Sequence, residues 1–415
     1  MTGEGGGPGQ EIDPRPRARW DRMWATLEGI GREDAGGFSR LAWSAADAQL
    51  RRWFRAEAAR RDMAVEQDGN GNMWAWWGAP GPGAVATGSH LDSVPNGGAF
   101  DGPLGVVSGF MAVDELQAKA RPPQRPVAVV CFSDEEGARF GVACVGSRLT
   151  CGALGPDAAR ALADADGITL AQAMQRAGAD PAQLGPAPER LARLRAFVEV
   201  HIEQGRALVD LGAPIGLATR IWPHGRWRCR FQGEPNHAGT TLMSDRRDPM
   251  VPLALAVIEA RSAAERYGAR ATVAKTVVEP NATNAVAARV DAWLDARAAD
   301  EETLQLVVAA VHGSADRAAA AHGVDFRLTQ ESFTGAVEFD VPLRAAIAEV
   351  LGRPPEVPTA AGHDSGILSS HVPTAMIFVR NPTGVSHSPA ESAAVDDCLA
   401  GAHALAQVIE ALSAL

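Results

Sequence analysis

The sequence predicts an α/β protein, a sheet flanked by helices, interrupted by an inserted α+β module with an antiparallel sheet. Three observations carry this. Short continuous apolar runs alternate with segments of helical period in the first half of the chain. Around Gly212–Ala218 the order changes to strand–helix–strand–strand–helix, and beyond residue 330 the first pattern returns. The length of 415 residues suits two domains better than one, because single cores stop growing near ~250–300 residues.

Met1–Pro16 is polar and rich in Gly and Pro, so a disordered tail is expected; it lacks the apolar centre of a signal peptide. Trp20, Met23, Trp24, Leu27 and Ile30 recur at helical spacing, and Ser44–Arg60 reads as a helix capped by Ser44. Met63–Glu66, Asn72–Trp77 and Ala84–Ser89 are short strand-like runs, separated by the turn sequences Asp68–Asn72 and Pro80–Gly83. Gly105–Ala120 is a helix, Pro126–Phe132 a strand of a covered sheet, Ala158–Ala177 a helix and Phe197–Ile202 another buried strand. In the module, strands are expected at Trp227–Phe231, Ala271–Val278 and Ala287–Ala296, and helices at Pro249–Gly268 and Asp300–His322. Pro373–Val379 is again a buried strand and Ser392–Leu412 a closing helix. The expected division is therefore 17–215 with 330–415 as one domain and 216–329 as the insertion.

Hydrophobic residues make up 46% and charged residues 21%, the balance of a soluble globular chain. The net charge is −11 and no Lys/Arg block occurs, which argues against nucleic acid as a partner. The five cysteines are odd in number and form no Cys-x-x-Cys pair, so a disulfide framework or thiolate zinc site is not expected and a reducing cytoplasm is. No run of ~18 apolar residues suggests a membrane span.

Chemistry gathers where the strands end. Ala84–Ser89 runs into His90-Leu91-Asp92, Pro126–Phe132 into Ser133-Asp134-Glu135-Glu136-Gly137, and Phe197–Val200 into His201-Ile202-Glu203-Gln204-Gly205. Ile377–Val379 is followed by the loop that reaches Ser386-His387-Ser388-Pro389. Open α/β sheets bind ligands beyond the carboxyl ends of their strands. A fifth acid, Asp101, lies on the glycine-rich loop Asn96–Gly102, where a carboxylate can bridge two cations. His90, Asp101, Glu136, His201 and His387 thus form a ligand set for two divalent ions, with Asp101 shared and each ion keeping a place for water. Histidine and carboxylate without thiolate suits Zn²⁺, Mn²⁺, Co²⁺ or Ni²⁺. Glu135, beside the ligand Glu136, is the candidate general base. Asp92 is expected to orient His90 through its ring N–H.

The blocks GSHLDSVPNGGAFDGPLGV, FSDEEGARFG, VEVHIEQG, PNHAGTT and SHSPAE resemble the allantoate amidohydrolase, N-carbamoyl-L-amino-acid hydrolase and β-ureidopropionase group. That group belongs to the dinuclear metallopeptidase-like amidohydrolases. The resemblance spans Trp20–Leu412, in order and spacing. It implies a metallopeptidase-like catalytic domain with a mixed central sheet, an inserted lid and dimerisation domain, and the five ligands and base named above. It also implies that His237 steadies the oxyanion, across a homodimer interface, and that Gln204, Asn284 and His363 contact substrate. Arg297 would clamp a substrate carboxylate, for which a planar guanidinium fork is suited. Histidine at position 201, followed by Glu-Gln-Gly, resembles the carbamoyl-cleaving branch rather than peptidases. The implied substrate is a small ureido-carboxylate, an N-carbamoyl-L-amino acid or allantoate. Ile221–Trp227 and Leu242–Asp245 depart from the common pattern and leave that choice open.

Overall fold

The structure, a computed structural model, describes Pro14–Asp34, Gly36–Lys119 and Gln124–Ala414. Most of the expected tail lies outside these residues, but Pro14–Pro16 open the first helix, Pro14–Glu28. The chain divides into two units, one of residues 1–219, 339–357 and 362–415, the other of 220–338 and 358–361.

The first unit is built on β1 (Ala64–Gln67), β2 (Met73–Trp77), β3 (Ala84–His90), β4 (Val127–Phe132), β5 (Leu194–Ile202), β6 (Ile215–Ile221) and β7 (Thr374–Val379), in the order β1-β2-β4-β3-β5-β7-β6. The sheet is mixed. The four central strands β4, β3, β5 and β7 run parallel, while β1, β2 and β6 are antiparallel to their neighbours. Alternate side chains separate into two cores, as a strand's period of two requires. Met73, Ala75, Val85, Val127 and Val129 pack with helices Pro103–Ala118 and Val395–Ala414. Trp74, Trp76, Ala86, Val130 and Phe132 face the other way, onto Phe197 and Leu368. Cover on both faces explains why these strands read as unbroken apolar runs.

The second unit is an antiparallel sheet in the order Asp325–Thr334, His224–Gln232, Arg289–Arg297, Arg270–Glu279. Helices Met250–Tyr267 and Glu301–Ala321 bury its odd-numbered Trp227, Cys229 and Phe231 and its even-numbered Val290, Ala292 and Leu294. Asp300 caps the second helix by accepting from Thr303 N–H at 2.7 Å. The chain returns to the first unit at Phe339 rather than near 330, because Asp325–Thr334 pairs with His224–Gln232 and Val337–Glu338 pairs with Ile221 and Arg220.

One expected helix is broken. Ala158–Ala177 forms two short helices, Pro156–Ala161 and Leu170–Arg176. Between them Asp164 accepts from the N–H groups of Asp166 and Ile168, and Gly167 takes φ +76°. A side-chain-capped turn of this kind competes with helix whatever the alanine content. The described cysteines are all free, and no helix among the described residues is long and apolar enough to cross a membrane.

Candidate metal centre

The four parallel strands end at one edge of the sheet, and each end supplies a side chain. His90 is the last residue of β3 and His201 the last but one of β5. Glu135 and Glu136 follow β4, and His387 lies on the loop after β7. Asp134 takes φ +55°, turning the chain so that two consecutive carboxylates reach one place. Glu136 comes 3.2 Å from His387 Nε2, and Glu135 3.7 Å from His90 Nε2.

Asp101 sits at the centre. Its Oδ1 is 3.2 Å from His201 Nε2 and 3.6 Å from His90 Nε2, while its Oδ2 is 3.3 Å from His387 Nε2. Two triads result, His90/Asp101/His201 and Asp101/Glu136/His387, each with its donor atoms within 4.8 Å of one another. The Asp101 loop reaches over His90 only because residue 102 is glycine. It takes φ +85°, and a Cβ there would stand 2.5 Å from the His90 ring.

Both strand histidines aim the same nitrogen inward. His90 Nδ1 donates to the Asp92 carbonyl at 3.0 Å, and His201 Nδ1 donates to the Ile202 carbonyl at 2.8 Å. A carbonyl only accepts, so the proton sits on Nδ1 and Nε2 keeps its lone pair. His90 Nε2 and His201 Nε2 are buried with no hydrogen-bond partner among the described residues. Orphaned buried imidazole nitrogens are costly unless something else binds them. Beside a shared carboxylate, they fit divalent cations.

Burial alone would lower the pKa of His90, but Glu135, Asp101 and Asp92 hold it well above the usual imidazole value. His387, bonded to Asp101 and Glu136, is pushed up to about 10. Burial also works against ionised Asp101, yet His201, His387 and His90 hold its carboxyl well below the usual range. The cluster draws positive charge. Glu135 is 6% exposed, and burial pushes its carboxyl well up, His90 opposing and Asp364, Glu136 and Asp101 adding.

Asp92 receives the His90 ring N–H as expected, but by its main chain. Its main-chain carbonyl, not its carboxylate, receives the His90 proton; Oδ1 lies 3.7 Å from Nδ1. The carboxylate instead accepts the N–H groups of Glu135 at 3.2 Å and Glu136 at 3.1 Å, fixing the segment that carries both glutamates. Gln204 donates to Asp101 Oδ2 at 2.8 Å. His363 is buried and packs edge-on against the His201 ring, centroids 4.4 Å apart. With Glu199 and His201 it forms a third possible donor group. That group would need the same His201 nitrogen as the first triad, since Nδ1 is committed, and Glu199 already accepts from Ser89 Oγ and Ser365 N–H.

His237, Asn284 and Arg297 belong to the second unit. His237 and Asn284 are exposed; the Ala238 N–H donates to the Asn284 carbonyl at 2.9 Å, and His237 Nδ1 accepts from Gly239 N–H. Arg297 is half-buried, and its Nε, Nη2 and Nη1 donate to Asp295 and to the Ala360 carbonyl. Three of its five N–H groups are thereby engaged.

Sequence reasoning passed over several residues. Glu391 and Ser386 lie in the SHSPAE block beside His387, and both bond to the Asp101 loop. Cys144 places Sγ 3.5 Å from Glu135 Oε1, and nothing in the local sequence signals it.

The description "Peptidase family M20/M25/M40" matches residues 86–411. The chain is 38% identical over 395 residues to the N-carbamoyl-L-amino acid amidohydrolase of Geobacillus stearothermophilus, covering 93% of this chain and 96% of that one. It is 31% identical over 401 residues to the allantoate amidohydrolase of Escherichia coli strain K12, with 93% and 96% covered. A crystal structure of an amidase of the hydantoinase/carbamoylase family from Burkholderia vietnamiensis superposes with a TM-score of 0.87 at 31% identity, covering 96% of this chain and 97% of the other.

Proposed function

We infer the reaction from one premise: this chain belongs to peptidase family M20/M25/M40 and, within it, to the group of allantoate and N-carbamoyl-amino-acid amidohydrolases. It is a hydrolase of carbamoyl C–N bonds, and we propose an N-carbamoyl-L-amino acid as its substrate. The observation that carries the chemistry is the pair of triads sharing Asp101, with two orphaned imidazole nitrogens. The 38% identity to an N-carbamoyl-L-amino acid amidohydrolase favours that substrate; allantoate is the second reading, on the 31% relative.

His90, Asp101 and His201 would hold one divalent cation, and Asp101, Glu136 and His387 a second. The ions, Zn²⁺, Mn²⁺, Co²⁺ or Ni²⁺, would polarise the ureido carbonyl and acidify water. Asp92 holds the Glu135 segment by its main chain, so the base presents a fixed carboxylate. Glu135 takes a proton from the attacking water and returns it to the departing nitrogen. His237 donates to the oxyanion as the carbonyl carbon becomes tetrahedral. Arg297 binds the substrate carboxylate, Asn284 and Gln204 hold the polar groups beside it, and His363 keeps the His201 ring in place. One water and one ureido group give the free amino compound, ammonia and carbon dioxide. Five free cysteines suit a reducing compartment, and we assign the chain to the cytoplasm.

The test is ammonia release by Mn²⁺- or Co²⁺-loaded protein from N-carbamoyl-L-amino acids, allantoate and N-acetyl-amino acids, with Arg297→Ala alongside. Release is expected from the carbamoyl amino acids. In the variant, KM should rise about 10–100-fold, the range for losing a charge-assisted pair. Cleavage of the acetyl compounds alone would sink the reading.

We propose further that the enzyme is a homodimer formed by the second unit. Val251, Leu255 and Ile258 stand exposed on one face of helix Met250–Tyr267, Ile258 at 66%, beside the edge strand Arg270–Glu279 with exposed Val277. An apolar stripe beside an unpaired strand edge is a natural association surface. Light scattering should give twice the chain mass, and Ile258→Asp should halve it; a wild-type monomer would refute the dimer.

A further inference from the structure

The two triads are held differently. In the first, His90 and His201 are strand residues with their rings fixed by carbonyls. In the second, Asp101, Glu136 and His387 all come from loops, and His387 takes φ +53° with a side chain 49% exposed. Something must tie those loops together.

One end of the His387 loop is pinned by Asn381, whose Nδ2 donates to the carbonyls of Glu203 and Val385 and whose Oδ1 accepts from Thr383 and Gly384. The other end is pinned by Glu391, only 5% exposed. Its Oε1 accepts the main-chain N–H groups of Phe100 at 2.7 Å and Asp101 at 3.0 Å, and its Oε2 lies 3.2 Å from Ser386 Oγ. That hydroxyl lies 3.0 Å from Asp101 Oδ2. One side chain therefore spans from the main chain of the bridging aspartate to the residue beside His387. Gly98 makes room for it, since a Cβ there would come 2.3 Å from Glu391 Cδ.

We infer that Glu391 is a positioning residue for the second cation: its carboxylate ties the Asp101 loop to the His387 loop at the spacing that lets both ligate one ion. This rests on the two-cation reading above. Loss of Glu391 leaves the N–H groups of Phe100 and Asp101 without their acceptor and frees the His387 loop at one end. The first triad retains two strand-held histidines, so the loss falls on the second.

The experiment strips the full-length protein with chelator and titrates it with Mn²⁺, following bound metal by calorimetry and the coupled two-ion signal by electron paramagnetic resonance. Wild type should bind two Mn²⁺ per chain. Glu391→Ala should bind the first normally and the second about 10–100-fold more weakly, the usual cost of losing an outer partner of a metal site, with the coupled signal lost at limiting metal. Glu391→Gln, whose amide oxygen still accepts the two N–H groups, should restore the second site. Gly98→Ala, which displaces the glutamate while leaving residue 391 unchanged, should reproduce the defect. Equal second-site affinity in Glu391→Ala and wild type overturns the inference. So does equal weakening of both sites, which a merely structural role would give. A wild type that binds only one Mn²⁺ overturns the two-cation reading, and this inference with it.

Discussion

Glu135→Ala should lower kcat by about 10²–10⁴-fold, the contribution of a well-placed general base, while both cations stay bound. The proposed separation of roles rests on geometry. Glu136, not Glu135, belongs to the second triad, and Glu135 lies 3.7 Å from His90 Nε2 without joining either. Burial raises its carboxyl well above the ordinary carboxylate value, with His90 opposing. Measured metal content decides the interpretation. Two ions per chain with activity lost means a base; activity lost together with a metal means that Glu135 is a ligand. A variant with full activity would remove it from the mechanism.

Asp101→Ala should have a still broader effect, because one side chain serves both triads. Each would be left with two protein donors, His90 and His201 or Glu136 and His387. Bound metal should fall well below two per chain, and activity by at least the ~10⁴-fold upper end for a general base, since substrate polarisation and water activation fail together. Stability should fall too. A ligand present at 100 times its Kd stabilises a fold by about 2.7 kcal/mol, so wild-type protein should melt higher with Mn²⁺ than after chelation, and Asp101→Ala should show no such difference. A variant that keeps two ions and the metal-dependent shift would remove Asp101 from the bridge.

These expectations trace to different levels of the molecule. The four central strands were legible because both faces are covered, which leaves unbroken apolar runs such as Val127–Phe132 whatever the neighbours. The five candidate ligands were legible because a parallel sheet delivers all its strand ends to one edge, so polar residues at those ends had to meet. A local signal also sufficed for Ser44, whose side chain accepts from the Asp47 N–H three residues on. The helix expected over Ala158–Ala177 failed because an Asp–Gly turn outweighed alanine propensity.

What the sequence determined by itself was whatever depends on period and strand order: the sheet, and the gathering of the candidate ligands at one of its edges. Tertiary structure decided what depends on contacts between distant segments. Only folding brings Glu391 to the main chain of Asp101, 290 positions away, and Gln204 to its carboxylate. Only folding gives the Asp92 carboxylate to the Glu135 segment, and bonds three of the Arg297 N–H groups to Asp295 and Ala360. Hydrogen bonds have a reach of about 3 Å and take any suitable partner in space, so sequence spacing carries no record of them.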